Sequence, residues 1–337
     1  MSGETNRQVV LRRRPAGAVT QDCFERVTAT VGELGPGEAL LRVHYVGIDP
    51  TIRGWIDEGG NYMAPVRLGD PVRANGVGVV IATNAPDQWP LDAAFMCLTG
   101  WQEYRVLAAV EDPVATRLPD GMDLMGPLNV GGHIGVTAFI GVTEVAKPSA
   151  GESFVVSAAS GVGSIAGQIA KLMGARVVGI AGSPQKCAWV TGELGFDACI
   201  DYKRDDVRAR LKELCPKGVD VFFDNVGGEL LDIVLTRIAR KGRVVLCGDI
   251  STYDASAAPP PLHNHRYLMG RGASMEGFNT LDHWDRYLDA QAQLGRWVAD
   301  GRIKHREHVL EGIDQCAPGL VRLFAGDHLG KLVVKLV

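Results

Sequence analysis

Hydrophobic and polar residues follow different patterns in the two halves of the chain. Up to about residue 130, short β-like segments are separated by turn formers, including those at 35–37 and 69–71; residues 40–46 alternate partly and residues 77–81 are a short apolar run. Runs of this length between glycine- and proline-rich turns are typical of β-strands. The first part is therefore predicted to be an all-β or barrel-like unit.

After Gly151 the short hydrophobic runs alternate with segments of helix length. The predicted strands are residues 154–156, 176–180, 198–200, 219–223 and 244–247. The predicted helices are residues 164–173, 184–194, 206–214, 229–239 and 282–300. Strands that alternate with helices form a parallel sheet, and short apolar strands suit a sheet that is covered on both faces.

Residues 332–337 form a last hydrophobic run, which no helix follows and which resembles the runs of the first part. We therefore expect the chain to return to the β unit at its end. With 337 residues, the chain exceeds the ~250–300 residues at which single hydrophobic cores usually split. The pattern and the length together predict two domains.

The composition is that of an ordinary globular protein, with 46% hydrophobic and 22% charged residues. A net charge of −4 gives no electrostatic reason to expect nucleic acid or an anionic membrane as a partner. No hydrophobic run approaches the ~18 residues of a membrane span, and the polar first residues lack a signal-peptide pattern. These features predict a cytoplasmic protein.

The cysteines and histidines give little indication of a metal site. Seven cysteines lie far apart, at Cys23, Cys97, Cys187, Cys199, Cys215, Cys247 and Cys316. Their odd number and the lack of C-x-x-C spacing argue against a disulfide framework and a four-cysteine zinc site. We expect buried reduced thiols at all of them except Cys247. His263 and His265 have no obvious Cys or carboxylate partner and are interpreted as loop residues.

A glycine-rich turn follows the first predicted strand of the second half. Residues 161–166 read Gly-Val-Gly-Ser-Ile-Ala and fit the G-x-G-x-x-G/A pattern at the start of a helix. Glycines allow a tight turn and close approach of a pyrophosphate, and the helix N-terminus offers N–H groups to it. A purely structural turn is the alternative. The strand–helix units that follow favour a dinucleotide site, at which Gly161, Val162 and Gly163 would hold the cofactor.

The second strand of such a site indicates which dinucleotide is bound. An NAD site usually carries Asp or Glu about 20 residues after the glycines. Here the strand ends in Ile-Ala-Gly-Ser at residues 180–183, Lys186 follows, and Tyr202-Lys203 comes after the next strand. A lysine at this strand end, with no carboxylate on residues 180–183, suits the 2′-phosphate of NADPH, so NADPH is favoured over NADH. The alternative for Lys186 is a solvated lysine on a helix surface.

Short motifs occur in a fixed order between residues 49 and 331. They are Asp49-Pro50-Thr51-Ile52-Arg53, Gly100-Trp101-Gln102-Glu103-Tyr104, Gly135-Val136-Thr137-Ala138-Phe139, Ala181-Gly182-Ser183 with Lys186, Leu194-Gly195-Phe196-Asp197, Asp201-Tyr202-Lys203, Asp224-Asn225-Val226-Gly227-Gly228, Cys247-Gly248, Ile250-Ser251-Thr252-Tyr253, Glu276-Gly277-Phe278 and Leu329-Gly330-Lys331. With them the chain resembles the zinc-independent medium-chain dehydrogenases/reductases over nearly its whole length. Within these it is similar to the alkenal double-bond reductases, a group that includes the prostaglandin/leukotriene reductases and the bacterial curcumin reductases.

The resemblance implies a fold and an assembly. The fold would be α/β plus β, with a GroES-like β-barrel domain formed by both chain ends and a Rossmann domain with a doubly wound parallel sheet. The expected boundaries are 1–130 completed by 308–337 for the barrel, and 131–307 for the NADPH-binding domain. The resemblance also implies a homodimer.

The resemblance further assigns roles to individual residues. Lys186 and Tyr202 would hold the adenosine 2′-phosphate, with Ser183 assisting. Asn225 and Cys247 would line the nicotinamide. As candidate catalytic residues, Tyr253 matches a tyrosine that contacts the substrate carbonyl, and Tyr62 matches a second aromatic residue of the curcumin-reductase branch.

Three positions depart from the pattern of the group. The glycine turn is one residue shorter and is closer to that of the quinone reductases. His133-Ile134 replaces Met-Pro, and His328 replaces Asn. Arg53, in contrast, belongs to a matched motif and is interpreted as a structural salt-bridge partner.

The chemistry implied is zinc-independent, because no Gly-His-Glu segment is present. Without a Lewis acid, the expected reaction is reduction of the activated C=C bond of a small hydrophobic enone or enal. Hydride addition to the β-carbon leaves an enolate, whose oxygen needs hydrogen-bond donors such as the Tyr253 hydroxyl. Solvent, Tyr253 or His133 would supply the proton. The alternatives are a quinone oxidoreductase on the same fold and a non-catalytic NADPH-binding protein.

Overall fold

The computed structural model describes residues 3–59, 63–108, 115–253 and 261–337. The chain divides into two compact units, which are described separately. The first comprises Met1–Leu128 and Glu307–Val337, and the second comprises Asn129–Arg306. None of the described helices is long and apolar enough to cross a membrane.

The described residues form fifteen strands and ten α-helices. The strands are β1 (Thr5–Leu11), β2 (Phe24–Thr30), β3 (Glu38–Gly47), β4 (Gly76–Thr83), β5 (Ala94–Cys97), β6 (Tyr104–Ala108), β7 (Thr116–Arg117), β8 (Ser153–Ser157), β9 (Arg176–Ala181), β10 (Ala198–Asp201), β11 (Val219–Asp224), β12 (Ile238–Leu246), β13 (Ser274–Gly277), β14 (Glu307–Glu311) and β15 (Lys331–Lys335). The helices are α1 (Thr51–Trp55), α2 (His133–Ile140), α3 (Val162–Leu172), α4 (Pro184–Gly192), α5 (Val207–Leu214), α6 (Gly228–Leu235), α7 (Ile250–Tyr253), α8 (Arg266–Arg271), α9 (Tyr287–Ala299) and α10 (Cys316–Ala325).

The first unit is built from β-sheets. Strands β1 and β2 form an antiparallel pair, and a second sheet has the order β14-β15-β3-β4-β5-β7, with β6 also paired to β3. Because β15 pairs antiparallel with β3, the expectation that the chain returns to the β unit at its end is confirmed. The core includes Leu41, Ile52 and Trp101, which are fully buried.

A buried ion pair joins the two chain segments of this unit. Lys331 Nζ lies 2.6 Å from Asp49 Oδ1 and donates a second hydrogen bond to the Ile48 carbonyl at 2.7 Å. Both charged side chains are at most 5% exposed. Arg53 forms a salt bridge with Asp57 at 2.6 Å, so its interpretation as a structural salt-bridge partner is confirmed.

The second unit contains a six-stranded sheet in the order β10-β9-β8-β11-β12-β13. All of its pairings are parallel. This is the doubly wound order of a dinucleotide-binding sheet, with the topological switch between β8 and β11. The predicted fold class is therefore confirmed. The central strands carry buried aliphatic and aromatic residues such as Val155, Val178 and Phe222.

Several predicted boundaries in this unit are wrong. The helix predicted over 229–239 ends at Leu235, because Ile238 already pairs with Val219 at the start of β12. The helix predicted over 282–300 begins at Tyr287, since His283 has non-helical dihedral angles. Strand β13 was not predicted. Its residues are mostly exposed and show no hydrophobic run.

The expectation that all cysteines other than Cys247 are reduced is wrong for two of them. Cys187 on α4 and Cys199 on β10 form a disulfide, with their Cα atoms 5.2 Å apart. Helix α4 packs beside β10, and the sequence, in which the two cysteines lie 12 residues apart, does not reveal this contact. The remaining four, Cys23, Cys97, Cys215 and Cys316, are buried and form no disulfide, as expected.

Candidate functional site

The glycine turn connects β8 to α3. A Cβ atom at Gly163 would lie 2.7 Å from the Ala158 carbonyl oxygen and 2.8 Å from that of Ser157, so only glycine lets α3 start this close to β8. A Cβ atom at Gly161 would meet no atom of the chain within 4 Å. The two glycines therefore differ: Gly163 is required by packing, while the surroundings of Gly161 leave room for a ligand next to the first turn of α3.

The second strand of the sheet, β9, ends beside the first turn of α4. Ser183 is the N-cap of that helix, and its Oγ accepts a hydrogen bond from the Lys186 N–H at 3.2 Å. Lys186 is only 8% exposed, so the alternative of a solvated lysine on a helix surface is wrong. Capping by a serine side chain stabilises the first turn of α4, in which Lys186 lies.

Tyr202 follows β10 and lies against the backbone at the end of β9. A Cβ atom at Gly182 would lie 2.8 Å from a ring carbon of Tyr202 and 2.9 Å from its hydroxyl oxygen. The phenol therefore occupies the space that a side chain at residue 182 would take. This contact brings the Tyr202 hydroxyl beside the Gly182-Ser183 segment, while about half of the residue remains exposed.

Polar side chains connect the ends of β8 and β11 at the switch point of the sheet. Ser157 Oγ donates to Asp224 Oδ1 at 2.9 Å and accepts from the Asn225 N–H at 2.8 Å. The Asn225 side-chain amide donates to the Ser157 carbonyl at 2.8 Å. Asp224 is fully buried, and this burial raises the pKa of its carboxyl, which also accepts the N–H groups of Val226 and Gly227. These bonds hold Asn225 in one orientation.

Cys247 and Tyr253 follow the end of β12 and lie near Asp224 at the end of β11. The Cys247 N–H donates to the Asp224 carbonyl at 2.8 Å. Burial, with a smaller contribution from the charge of Asp224, raises the pKa of the Cys247 thiol to about 12. Tyr253 Oη accepts the Asp249 N–H at 3.5 Å, and burial raises the pKa of the phenol. Both groups are therefore protonated at neutral pH.

Cys247 and Tyr253 line one pocket of about 410 Å³ in the second unit. Its lining also includes Asp224, Gly227 and Asp249. One carboxylate oxygen of Asp249, Oδ1, is buried without a hydrogen-bond partner, while Oδ2 accepts the Thr252 hydroxyl at 2.8 Å. The structure thus brings two of the sequence-predicted residues together.

Other candidates lie elsewhere. Tyr62 falls outside the described residues. His133 is the first residue of α2 and is partly exposed. Within the ranges that the structure describes, no cluster of three or more His, Cys, Asp or Glu side chains could hold a metal ion.

Sequence reasoning did not single out Ser157 as part of the site, and it noted Asp224 only within a motif. Their side chains interact across 67 residues of sequence. The available signal was a polar residue directly after the apolar residues 154–156 of β8 and 221–223 of β11. Such strand ends converge at the switch point of a doubly wound sheet.

Comparison with known proteins gives matches to both units. The family described as "N-terminal domain of oxidoreductase" matches residues 7–113, and "Zinc-binding dehydrogenase" matches residues 161–293. The NADPH-dependent curcumin reductase of Escherichia coli is 34% identical over 99% of this chain and 97% of that protein. Prostaglandin reductase 1 of Bos taurus is 33% identical over 96% of this chain and 97% of that protein.

The solved structures agree with the sequence matches. The crystal structure of CurA from Vibrio vulnificus in complex with NADPH has a TM-score of 0.91 at 33% identity, and the match covers 98% of this chain and 99% of that chain. Fold and matched regions together define a medium-chain dehydrogenase/reductase. Within that class, the chain belongs to the alkenal double-bond reductase group, the family of the curcumin and prostaglandin reductases.

Proposed function

We propose that this protein uses NADPH to reduce the activated C=C bond of small hydrophobic α,β-unsaturated ketones or aldehydes, without zinc. The names of three relatives describe this chemistry: an NADPH-dependent curcumin reductase, a prostaglandin reductase and an NADP(+)-dependent 2-alkenal reductase of Nicotiana tabacum, which are 34%, 33% and 32% identical to the chain. Two features of this chain carry the proposal. The glycine turn before α3 is sterically open at Gly161, and a lysine and two hydroxyl groups lie near the end of β9.

The glycine turn fits a pyrophosphate. In our proposal Gly161, Val162 and Gly163 hold it at the start of α3. The space around Gly161 supports this assignment, because backbone N–H groups can then approach an anion without steric hindrance. The positive end of the helix dipole adds to the attraction.

The end of β9 fits a 2′-phosphate. Ser183, Lys186 and Tyr202 offer a hydroxyl, an ammonium and a phenol, all three of which donate hydrogen bonds. Strand β9 ends at Ala181, and the next two residues are Gly182 and Ser183. No carboxylate is therefore present where an NAD enzyme would bind the ribose hydroxyls, and the donor set favours NADPH.

For the reaction itself, we place Asn225 and Cys247 along the nicotinamide and Tyr253 at the substrate carbonyl, with Tyr62 as a second aromatic contact. NADPH supplies the hydride. Asn225 is held by Ser157 through two hydrogen bonds, so its side chain offers the nicotinamide a surface with a fixed orientation. The Tyr253 phenol can donate a hydrogen bond to the enolate oxygen, because its raised pKa keeps it protonated. The proton for the α-carbon comes from Tyr253 or solvent.

We further propose that the enzyme is a cytoplasmic homodimer. Strand β13 is the end strand of its sheet among the described strands and is mostly exposed. Met269 and Leu288, in helices α8 and α9 on either side of β13 in sequence, are 85% and 70% exposed. An exposed strand edge together with large exposed apolar side chains is characteristic of an interaction surface, and a second copy of the chain offers the same elements.

The test of the reaction is the loss of NADPH absorbance with an enone, with a quinone and with no acceptor. Turnover with the enone and retention of activity in a chelator support the proposal. Turnover with the quinone alone would replace it by the quinone-reductase alternative. Tight NADPH binding without turnover of either acceptor would indicate a binding protein.

A further inference from the structure

The Cys187–Cys199 disulfide joins the two elements that carry the proposed 2′-phosphate ligands. Cys187 is the residue after Lys186 in the first half of α4, and it lies four residues after Ser183. Cys199 lies on β10, three residues before Tyr202. One covalent bond therefore links the segment that positions the ammonium to the segment that positions the phenol.

Cys187 and Cys199 are partly exposed, as is Cys247, whereas Cys23, Cys97, Cys215 and Cys316 are buried. A disulfide that small thiols can reach is open to exchange, which requires access for an attacking thiolate. Disulfides in the cytoplasm are uncommon, and those that form there are usually transient or redox-sensing. The position of this pair is thus that of a reversible modification site.

We propose that Cys187 and Cys199 form a reversible dithiol–disulfide pair that sets the affinity of the protein for NADPH. The proposal rests on the proposed function. In the oxidising direction, the two thiols react with a small-molecule disulfide: one thiolate attacks it, forming a mixed disulfide and releasing one thiol. The second cysteine then displaces the other half as a second thiol. The two cysteines are oxidised, and the small disulfide is reduced to two thiols.

The disulfide form binds NADPH more tightly because it fixes the phosphate ligands before the cofactor arrives. With the bond in place, the first turn of α4 cannot move away from β10, and Lys186 and Tyr202 keep their relative positions. In the dithiol form, part of the binding free energy is used to order this turn. Pre-organisation of one or two side chains changes affinity by roughly three- to tenfold. NADH has no 2′-phosphate and makes no use of these ligands.

The experiment measures the dissociation constants of NADPH and NADH for the full-length protein in both redox states. The protein is oxidised with glutathione disulfide or reduced with dithiothreitol, and intact mass after alkylation reports the state of the pair. We expect the NADPH constant to rise by about three- to tenfold on reduction and the NADH constant to stay unchanged. The matched control is the variant C187S/C199S, which should bind NADPH like the reduced protein in either buffer.

Different results separate the possible failures. An NADPH constant that is equal in both states, or an NADH constant that changes by the same factor, would overturn the switch and leave a structural disulfide. A redox effect that persists in C187S/C199S would assign it to another thiol and also overturn the proposal. If the shift occurs but no enone is reduced, the switch stands and the proposed reaction fails.

Discussion

The position of Tyr202 depends on the absence of a side chain at one neighbouring residue. Its phenol lies over Gly182, within 3 Å of where a Cβ atom would be. In sequence, Gly182 is only a member of a short motif. In the structure it leaves the space that the Tyr202 hydroxyl occupies beside Ser183, so under the proposed 2′-phosphate site a residue without a side chain would contribute to the cofactor preference.

Replacing Gly182 by alanine should therefore weaken the binding of NADPH more than that of NADH. The new methyl group displaces the Tyr202 ring, and the loss of one hydrogen bond to a charged phosphate corresponds to about 1.5–3 kcal/mol, or roughly 10- to 160-fold in KM for NADPH. KM for NADH should change little. The matched control is Gly192→Ala on α4, where a Cβ atom meets no neighbour. An equal loss for both cofactors would contradict the role of Tyr202.

The Cys247 thiol should be a slow nucleophile. Burial raises its pKa from 9.0 to about 12, so the reactive thiolate is scarce at pH 8 and increases only as the pH rises towards 12. Peptide mass spectrometry after iodoacetamide treatment at several pH values would measure this. Because the pKa of Cys247 is higher in the folded than in the unfolded protein, the protonated thiol contributes to the free energy of unfolding below pH 9. This contribution is lost as the pH rises from 9 towards 12. Complete alkylation of native protein at pH 7 would contradict the prediction.

Tyr253→Phe tests the proposed hydrogen-bond donor. We expect kcat for an enone to fall by roughly 100- to 1,000-fold, the range for loss of one oxyanion donor, with an unchanged dissociation constant for NADPH. In the wild type, the loss of rate that follows ionisation of the phenol should begin at a higher pH than for an ordinary tyrosine, because Tyr253 acts when protonated and burial raises its pKa. Tyr267→Phe on α8 serves as the control. An unchanged kcat would remove Tyr253 from the mechanism.

At the scale of elements, helix α3 and strand β8 approach closely only because of Gly163. Gly163→Ala should lower the free energy of unfolding by about 1–3 kcal/mol, since its methyl group meets two backbone carbonyls. Gly161→Ala is the matched variant: its methyl group meets no atom of the chain, so it should weaken NADPH binding with a much smaller change in Tm. Thermal unfolding and cofactor titration of both variants separate the two effects. Equal losses of Tm would contradict this division.

The sequence predicted those elements whose hydrophobic pattern is set by local burial. Strands β8 to β11 are short apolar runs buried on both faces, and they stand within a residue or two of their predicted positions. Strand β13 has an exposed pattern and forms because β12 offers hydrogen bonds to it, which no local pattern reveals. The Cys187–Cys199 bond and the Ser157–Asp224 contact depend on tertiary neighbours and were missed for the same reason.

For the whole molecule, the exposed apolar residues of α8 and α9 lead to a prediction about assembly. The wild type should have twice the chain mass of 36.1 kDa in light scattering. Met269→Glu combined with Leu288→Glu should shift it towards the monomer, because charges would then be buried in the interface. Leu68→Glu, at a leucine in the first unit that is 58% exposed, should have no effect. A wild-type monomer would contradict the proposed dimer.

The pairing of β15 with β3 has a consequence for synthesis on the ribosome. Strand β3 leaves the exit tunnel almost 300 residues before β15, one of its antiparallel neighbours, while every strand of the parallel sheet is made within the intervening stretch. Domains generally fold as units during translation. The nucleotide-binding unit can therefore fold before β15, the last strand of the β unit, has been synthesised. Until Lys331 emerges, its buried ion pair with Asp49 cannot form, and residues 45–47 of β3 lack their β15 partner.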